Sequence, residues 1–86
     1  MKIKSGFVLQ EVAGQTVVMP VGEGLDLNMM ITLNETGAFL WRQLEEETDE
    51  TTLVAALLAE YDVDEQTART HVKAYVEKLY QHGFFE

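Results

Sequence analysis

The 86-residue sequence contains no cysteine and a single proline. Without cysteine there is neither a disulfide framework nor a thiolate metal site, and a reducing cytoplasm is the simplest home. Cations are scarce as well: six Lys and Arg stand against fifteen Asp and Glu, a formal net charge of -9. A protein that neutralises about 6–10 phosphates would need nearly all of those cations in one patch. Lys2, Lys4, Arg42, Arg69, Lys73 and Lys78 are instead scattered among acids. Nucleic acid is therefore not an expected partner, and the acidity mainly favours solubility. No apolar run approaches the roughly 20 residues of a membrane span, and no basic, apolar signal segment follows Met1, so no membrane partner is expected.

The residues that carry chemistry are also sparse. His71 and His82 are the only histidines, and on one helix they would stand about 16 Å apart in rise, too far to share an ion. Both read as surface residues. The run Glu45-Glu46-Glu47 with Asp49 and Glu50 lacks the alternating ligands and central glycine of a calcium loop and reads as a solvated turn. Thr36 and Thr70 have no evident activating base, and no glycine-rich phosphate loop precedes a helix. No enzymatic activity, cofactor or metal is expected.

What is present is a foldable core. Apolar residues make up 47% of the chain, enough for one domain over residues 1–86, which at this size buries about 60–65% of its unfolded surface. Phe7 to Val12 is rich in strand formers, Ala13-Gly14-Gln15 offers a tight turn, and Thr16 to Met19 continues the strand signal until Pro20 ends or bulges it. Val21-Gly22-Glu23-Gly24 is a connection. Leu25 to Leu33 is the third strand: its odd positions Leu25, Leu27, Met29, Ile31 and Leu33 are apolar and its even positions mostly polar, the period of a sheet with one buried face.

The remainder is helical. Asn34 can accept from the free N–H groups of the first helical turn, and Glu35 places negative charge at the positive helix end. Helix one runs from about Glu35 to Glu45, with Ala38, Trp41 and Leu44 on its core side. Gly37 inside it costs roughly 1 kcal/mol relative to Ala, a cost that a closely packed backbone would explain. Asp49 caps helix two (Leu53, Val54, Leu57, Leu58 and Tyr61 as its apolar set), and Asp64 caps helix three. Helix three carries Ala68, Val72, Tyr75, Val76 and Leu79 at spacings of three and four, and Gly83 is the left-handed stop. Phe84 and Phe85 fold back onto the core. Glu65 and Arg69 pair at i, i+4, and Lys73 and Lys78 are solvated unless an acidic ligand meets Lys73.

Three consecutive strands with short connections form a meander in which strand two is central and strands one and three are edges. Lys2 and Lys4 precede strand one, in keeping with the usual protection of edges. Strand three has no Lys, Arg or Pro, and its stretch Asn28-Met29-Met30-Ile31-Thr32 is uncharged. Such an edge is either covered by its own chain or reserved for a partner, and methionine suits a variable surface.

The chain resembles the PqqD family, named for pyrroloquinoline quinone biosynthesis, whose fold is called the RiPP recognition element. The resemblance covers nearly the whole chain. It rests on Phe7-Val8-Leu9 with Val17-Val18, on Ile31-Thr32-Leu33-Asn34-Glu35-Thr36-Gly37-Ala38 with Trp41, on Leu53-Val54-Ala55-Ala56-Leu57, on Tyr61-Asp62-Val63-Asp64-Glu65, and on Val72, Leu79 and Gly83. One departure is visible: the family usually has Asp immediately before the position of Val72, where this chain has His71. The resemblance implies a non-catalytic domain that binds the leader segment of a ribosomally made precursor peptide. The leader adds antiparallel to strand three, its side chains enter a groove beside helix three, and the domain presents it to a modifying enzyme, commonly a radical S-adenosylmethionine protein. Mapped onto this chain, Asn28, Met29, Met30, Ile31 and Thr32 form the pairing edge, and Arg69, Val72, Lys73, Val76 and Tyr80 are candidates for the helical wall.

The expected fold is therefore α+β, a three-stranded antiparallel sheet followed by three helices in a winged-helix-like arrangement. Two alternatives are a winged-helix DNA-binding or regulatory domain, in which Asp64 to Gly83 supplies the recognition helix, and a structural homodimer joined through strand three.

Overall fold

Ala13 and Gly14 both take positive φ, 53° and 81°, the backbone of a type I′ hairpin turn, whose twist matches that of the strands it joins. The computed structural model describes residues 1–22 and 30–86. In it, β1 (Phe7–Val12) pairs antiparallel with β2 (Gln15–Pro20), from Val12 opposite Gln15 to Phe7 opposite Pro20. The loop thus has two residues, and Gln15, expected in the turn, opens β2. β3 (Ile31–Leu33) pairs antiparallel with β2 from Val18 opposite Ile31 to Thr16 opposite Leu33, so the sheet order is β1-β2-β3. The expected third strand from Leu25 is seen over these three residues. Met30 precedes β3 without pairing, and Leu25 to Met29 lie outside the described residues.

Leu9, Val18 and Ile31 stand opposite one another across the three strands, and Val18 has no exposed surface. This row faces the helices. Alternation carries Thr32 to the solvent and Leu33 to the core.

Three helices follow: α1 (Glu35–Leu44), α2 (Glu50–Glu60) and α3 (Glu65–Gln81). Each begins as the sequence suggests. Asn34, Asp49 and Asp64 accept from the N–H groups of Gly37, Thr52 and Thr67 at 2.8, 2.7 and 2.7 Å, satisfying one orphan donor per helix. α3 ends on Gly83 at φ 78°. Phe84 N–H donates to the Leu79 carbonyl and Gly83 N–H to that of Tyr80, both at 3.1 Å, the Schellman pattern. That turn drives Phe84 into the core, where its ring lies 4.9 Å from Phe7 and 5.4 Å from Trp41, centroid to centroid. Leu44, Leu53, Leu57, Val72 and Leu79 complete the core, and no polar side chain is buried among the described residues. Leu58, expected on the core side of α2, is exposed.

The two ends of the chain meet, which no local pattern announces. Ile3 bridges Phe85 antiparallel, Lys4 N–H donates to Phe84 carbonyl at 2.9 Å, and Glu86 N–H donates to Lys2 carbonyl at 3.0 Å. Ile3 N–H also donates to Leu44 carbonyl at 2.8 Å. The acidic turn after α1 has a partner here: the Met1 ammonium donates to Glu47 at 2.8 Å.

The caps make stability acid-sensitive. The backbone N–H and the hydroxyl of Thr52 hold the Asp49 carboxyl below its usual value, and Thr67 does the same for Asp64. A carboxyl depressed in the folded state adds stability above its unfolded pKa of about 3.9 and loses it as pH falls through the lower folded value. Asp49→Asn with Asp64→Asn keeps the caps but not the charge. Between pH 5 and pH 2 the wild-type thermal midpoint is expected to fall further than that of the double variant, and equal slopes would refute the assignment.

Candidate functional site

β3 is an edge of the sheet, and among the described residues no strand lies beyond it. An edge strand directs alternate N–H and C=O groups outward, where they can pair with another chain. Beside this edge runs an open cleft of about 310 Å³. Its sheet side is Thr32 and Leu33, which lead into the α1 cap with Asn34, Thr36 and Gly37, and the buried Leu40 also lines it. Its opposite wall is one stripe of α3, His71, Ala74, Tyr75 and Lys78, spaced at three, four and seven residues as one helix face requires.

Gly37 shows why the junction is built as it is. A Cβ there would lie 3.1 Å from Asn34 Oδ1 and 3.5 Å from Leu33 Cβ and Cδ2. Its N–H is capped by Asn34, and its carbonyl accepts from the Tyr75 hydroxyl at 2.8 Å. Both backbone groups of one glycine thus receive side chains, which ties α3 to the start of α1 and holds the cleft walls together. Burial pushes the Tyr75 hydroxyl above the usual tyrosine value, so it stays protonated as the donor. Tyr75→Phe keeps the ring in the wall and removes that bond. The expected loss is about 1 kcal/mol of unfolding free energy in urea denaturation, and a neutral result would show the tie to be incidental.

The expected site residues distribute unevenly. Thr32 lines the cleft, Ile31 is half-buried against the core, and Met30 is exposed at the entrance to β3. Asn28 and Met29 lie outside the described residues. Of the expected helical wall, none lines the cleft. Val72 is 1% exposed and belongs to the core. Arg69 pairs with Glu65 at 3.2 Å on the exposed surface, and Lys73 is exposed. Val76 and Tyr80 line a separate groove of about 570 Å³ with Met1 and Phe85. At 100° per residue, Arg69, Lys73, Val76 and Tyr80 sit roughly half a turn from the cleft stripe. The core stripe of α3 has two flanks, and periodicity alone does not say which one the sheet takes. The spacing of His71, Ala74, Tyr75 and Lys78 at three and four residues was the local signal for that flank.

The arrangement offers backbone pairing beside a shallow, mixed polar and apolar slot. Among the described residues no group of three or more His, Asp and Glu is placed to hold a metal, and no helix is long and apolar enough to cross a membrane. The geometry defines a small α+β domain with a strand edge and an adjoining helix-walled cleft. The model of the family "Coenzyme PQQ synthesis protein D (PqqD)" matches residues 15–84, and the chain belongs to that family. Among solved structures, TbiB1 in complex with the TbiA(beta) leader peptide is similar at 26% identity and a TM-score of 0.76, over 100% of this chain and 95% of that one. A lasso peptide synthetase B1 complexed with the leader peptide shares the fold at 20% identity and a TM-score of 0.71, over 95% of this chain and 92% of that one. No protein of curated function matches the chain.

Proposed function

We propose that this protein is a non-catalytic chaperone for a ribosomally made precursor peptide. It binds the leader segment as an additional strand on β3 and presents it to a modifying enzyme. The observation that carries this reading is the junction of an edge strand with a cleft between β3 and α3. The pairing edge is Met30, Ile31 and Thr32, continued by Asn28 and Met29 in sequence, and the facing wall is His71, Ala74, Tyr75 and Lys78. The leader complexes of the two solved neighbours support it. The proposed recipient is a radical S-adenosylmethionine enzyme, the proposed compartment is the cytoplasm, and residues 1–86 act as one recognition domain.

The energetics are adequate. Three or four backbone hydrogen bonds contribute about 0.5–1.5 kcal/mol each, and two apolar anchors add roughly 1.5–3 kcal/mol each. After the cost of association, a micromolar complex, near 8 kcal/mol, is within reach. The DNA-binding alternative would need a cationic exposed face on α3. Along α3, Arg69 is held by Glu65, Glu77 follows Lys73 by one turn, and Lys78 is the one remaining Lys or Arg, too few cations for a phosphate-binding face.

The test is fluorescence polarisation with labelled peptides selected on the intact protein from a displayed library of random sequences. Met30→Pro removes an N–H at the edge and restricts the residue before it. It is expected to weaken binding at least about tenfold while the circular dichroism spectrum stays folded. Unchanged affinity would refute strand addition. Light scattering over a dilution series checks the homodimer, which would use the same edge and compete with the peptide.

A further inference from the structure

We propose that the leader recognised here carries an Asp or Glu side chain that enters the cleft beside Lys78, next to an apolar side chain seated against Leu40 and Tyr75, and that Lys78 sets this selectivity. The proposal rests on the strand-addition reading above and specifies the peptide that reading accepts.

The observation is the distribution of charge. In a chain with fifteen acids and six Lys and Arg, the lining of this cleft contains Lys78 and His71 and no carboxylate. The acids closest to it in sequence face elsewhere. Glu35 lines a different depression with Arg42, and Glu77 lines the groove with Tyr80. The cations on the other flank of α3 are matched: Arg69 pairs with Glu65, and Lys73 has Glu77 four residues on. Lys78 and His71 have no acid at three or four residues in either direction and take part in neither ion pair among the described residues. The nearby N-terminus of α1 adds a partial positive charge to the same slot. An acidic protein repels acidic peptides at long range, so a preference for a carboxylate at one register position has to come from this wall.

A displayed library of random 15-residue peptides, selected on the intact protein and sequenced, tests the assignment. Binders are expected to lose affinity with Met30→Pro and to share an Asp or Glu at one position beside an apolar residue. Lys78→Glu, an exposed substitution checked for folding by circular dichroism, should weaken those peptides about five- to tenfold in polarisation assays. Changing the peptide acid to Lys should recover binding on that variant. Binders that depend on Met30 yet show no acidic position, or that bind Lys78→Glu within twofold of wild type, would overturn the selectivity and leave strand addition standing. Binders indifferent to Met30→Pro would overturn strand addition, and this proposal with it.

Discussion

Phe84→Ala is expected to remove about 3–5 kcal/mol of unfolding free energy. Phe84 has no exposed surface, and its ring stands edge-on to Trp41 at 5.4 Å and tilted against Phe7 at 4.9 Å. Aromatic pairs of this geometry add about 0.5–1.5 kcal/mol beyond the area they bury. Three segments meet at this ring: β1 through Phe7, α1 through Trp41, and the chain after α3. The backbone of Phe84 is held on both sides, by Leu79 carbonyl at its N–H and by Lys4 N–H at its carbonyl, so truncation leaves a cavity that the surroundings close poorly. A domain of this size has in total about 4–13 kcal/mol of stability, and the substitution takes a large share of it. Urea denaturation should show a lower midpoint with the slope retained. A loss below about 1.5 kcal/mol would show that the C-terminal segment docks without supporting the core.

The sequence displays the local features of this fold because local chemistry creates them. Asn34, Asp49 and Asp64 announce helix starts through side-chain oxygens that reach the third N–H, and Gly83 announces a stop through a φ that other residues resist. Alternation in Ile31-Thr32-Leu33 shows which face of β3 is buried. Features made by distant segments are not displayed. Ile3 pairs with Phe85 across the length of the chain, and no period or turn residue in Met1 to Lys4 marks it. The cleft wall falls in the same category. Val72 and its apolar neighbours identify the inner face of α3, but the flank that meets β3 depends on how α3 crosses the sheet, which is set by tertiary packing. The lack of charge that motivates the proposed edge can be read in Met30 to Thr32, whereas the side of α3 that lines the adjoining cleft cannot.

That difference between the two flanks of α3 supplies a second large effect. Ala74→Trp is expected to reduce binding of the proposed leader at least about tenfold, a tenfold step being about 1.4 kcal/mol. Ala74 is exposed and lies between His71 and Lys78 on the cleft wall, so an indole there occupies the space that the leader's side chains would take. The substitution leaves the core untouched, since the buried positions of α3 are Ala68, Val72 and Leu79. Tyr80→Ala and Lys73→Ala, on the other flank, are the controls and should keep affinity within about twofold, below the 1.4 kcal/mol of a tenfold change. If Tyr80→Ala weakens binding while Ala74→Trp does not, the peptide uses the groove of Val76, Tyr80 and Phe85, and the β3 cleft is not its seat. The paired outcome separates sites on a single helix because the 17 residues of α3 line the β3 cleft with His71, Ala74, Tyr75 and Lys78 and the other groove with Val76 and Tyr80.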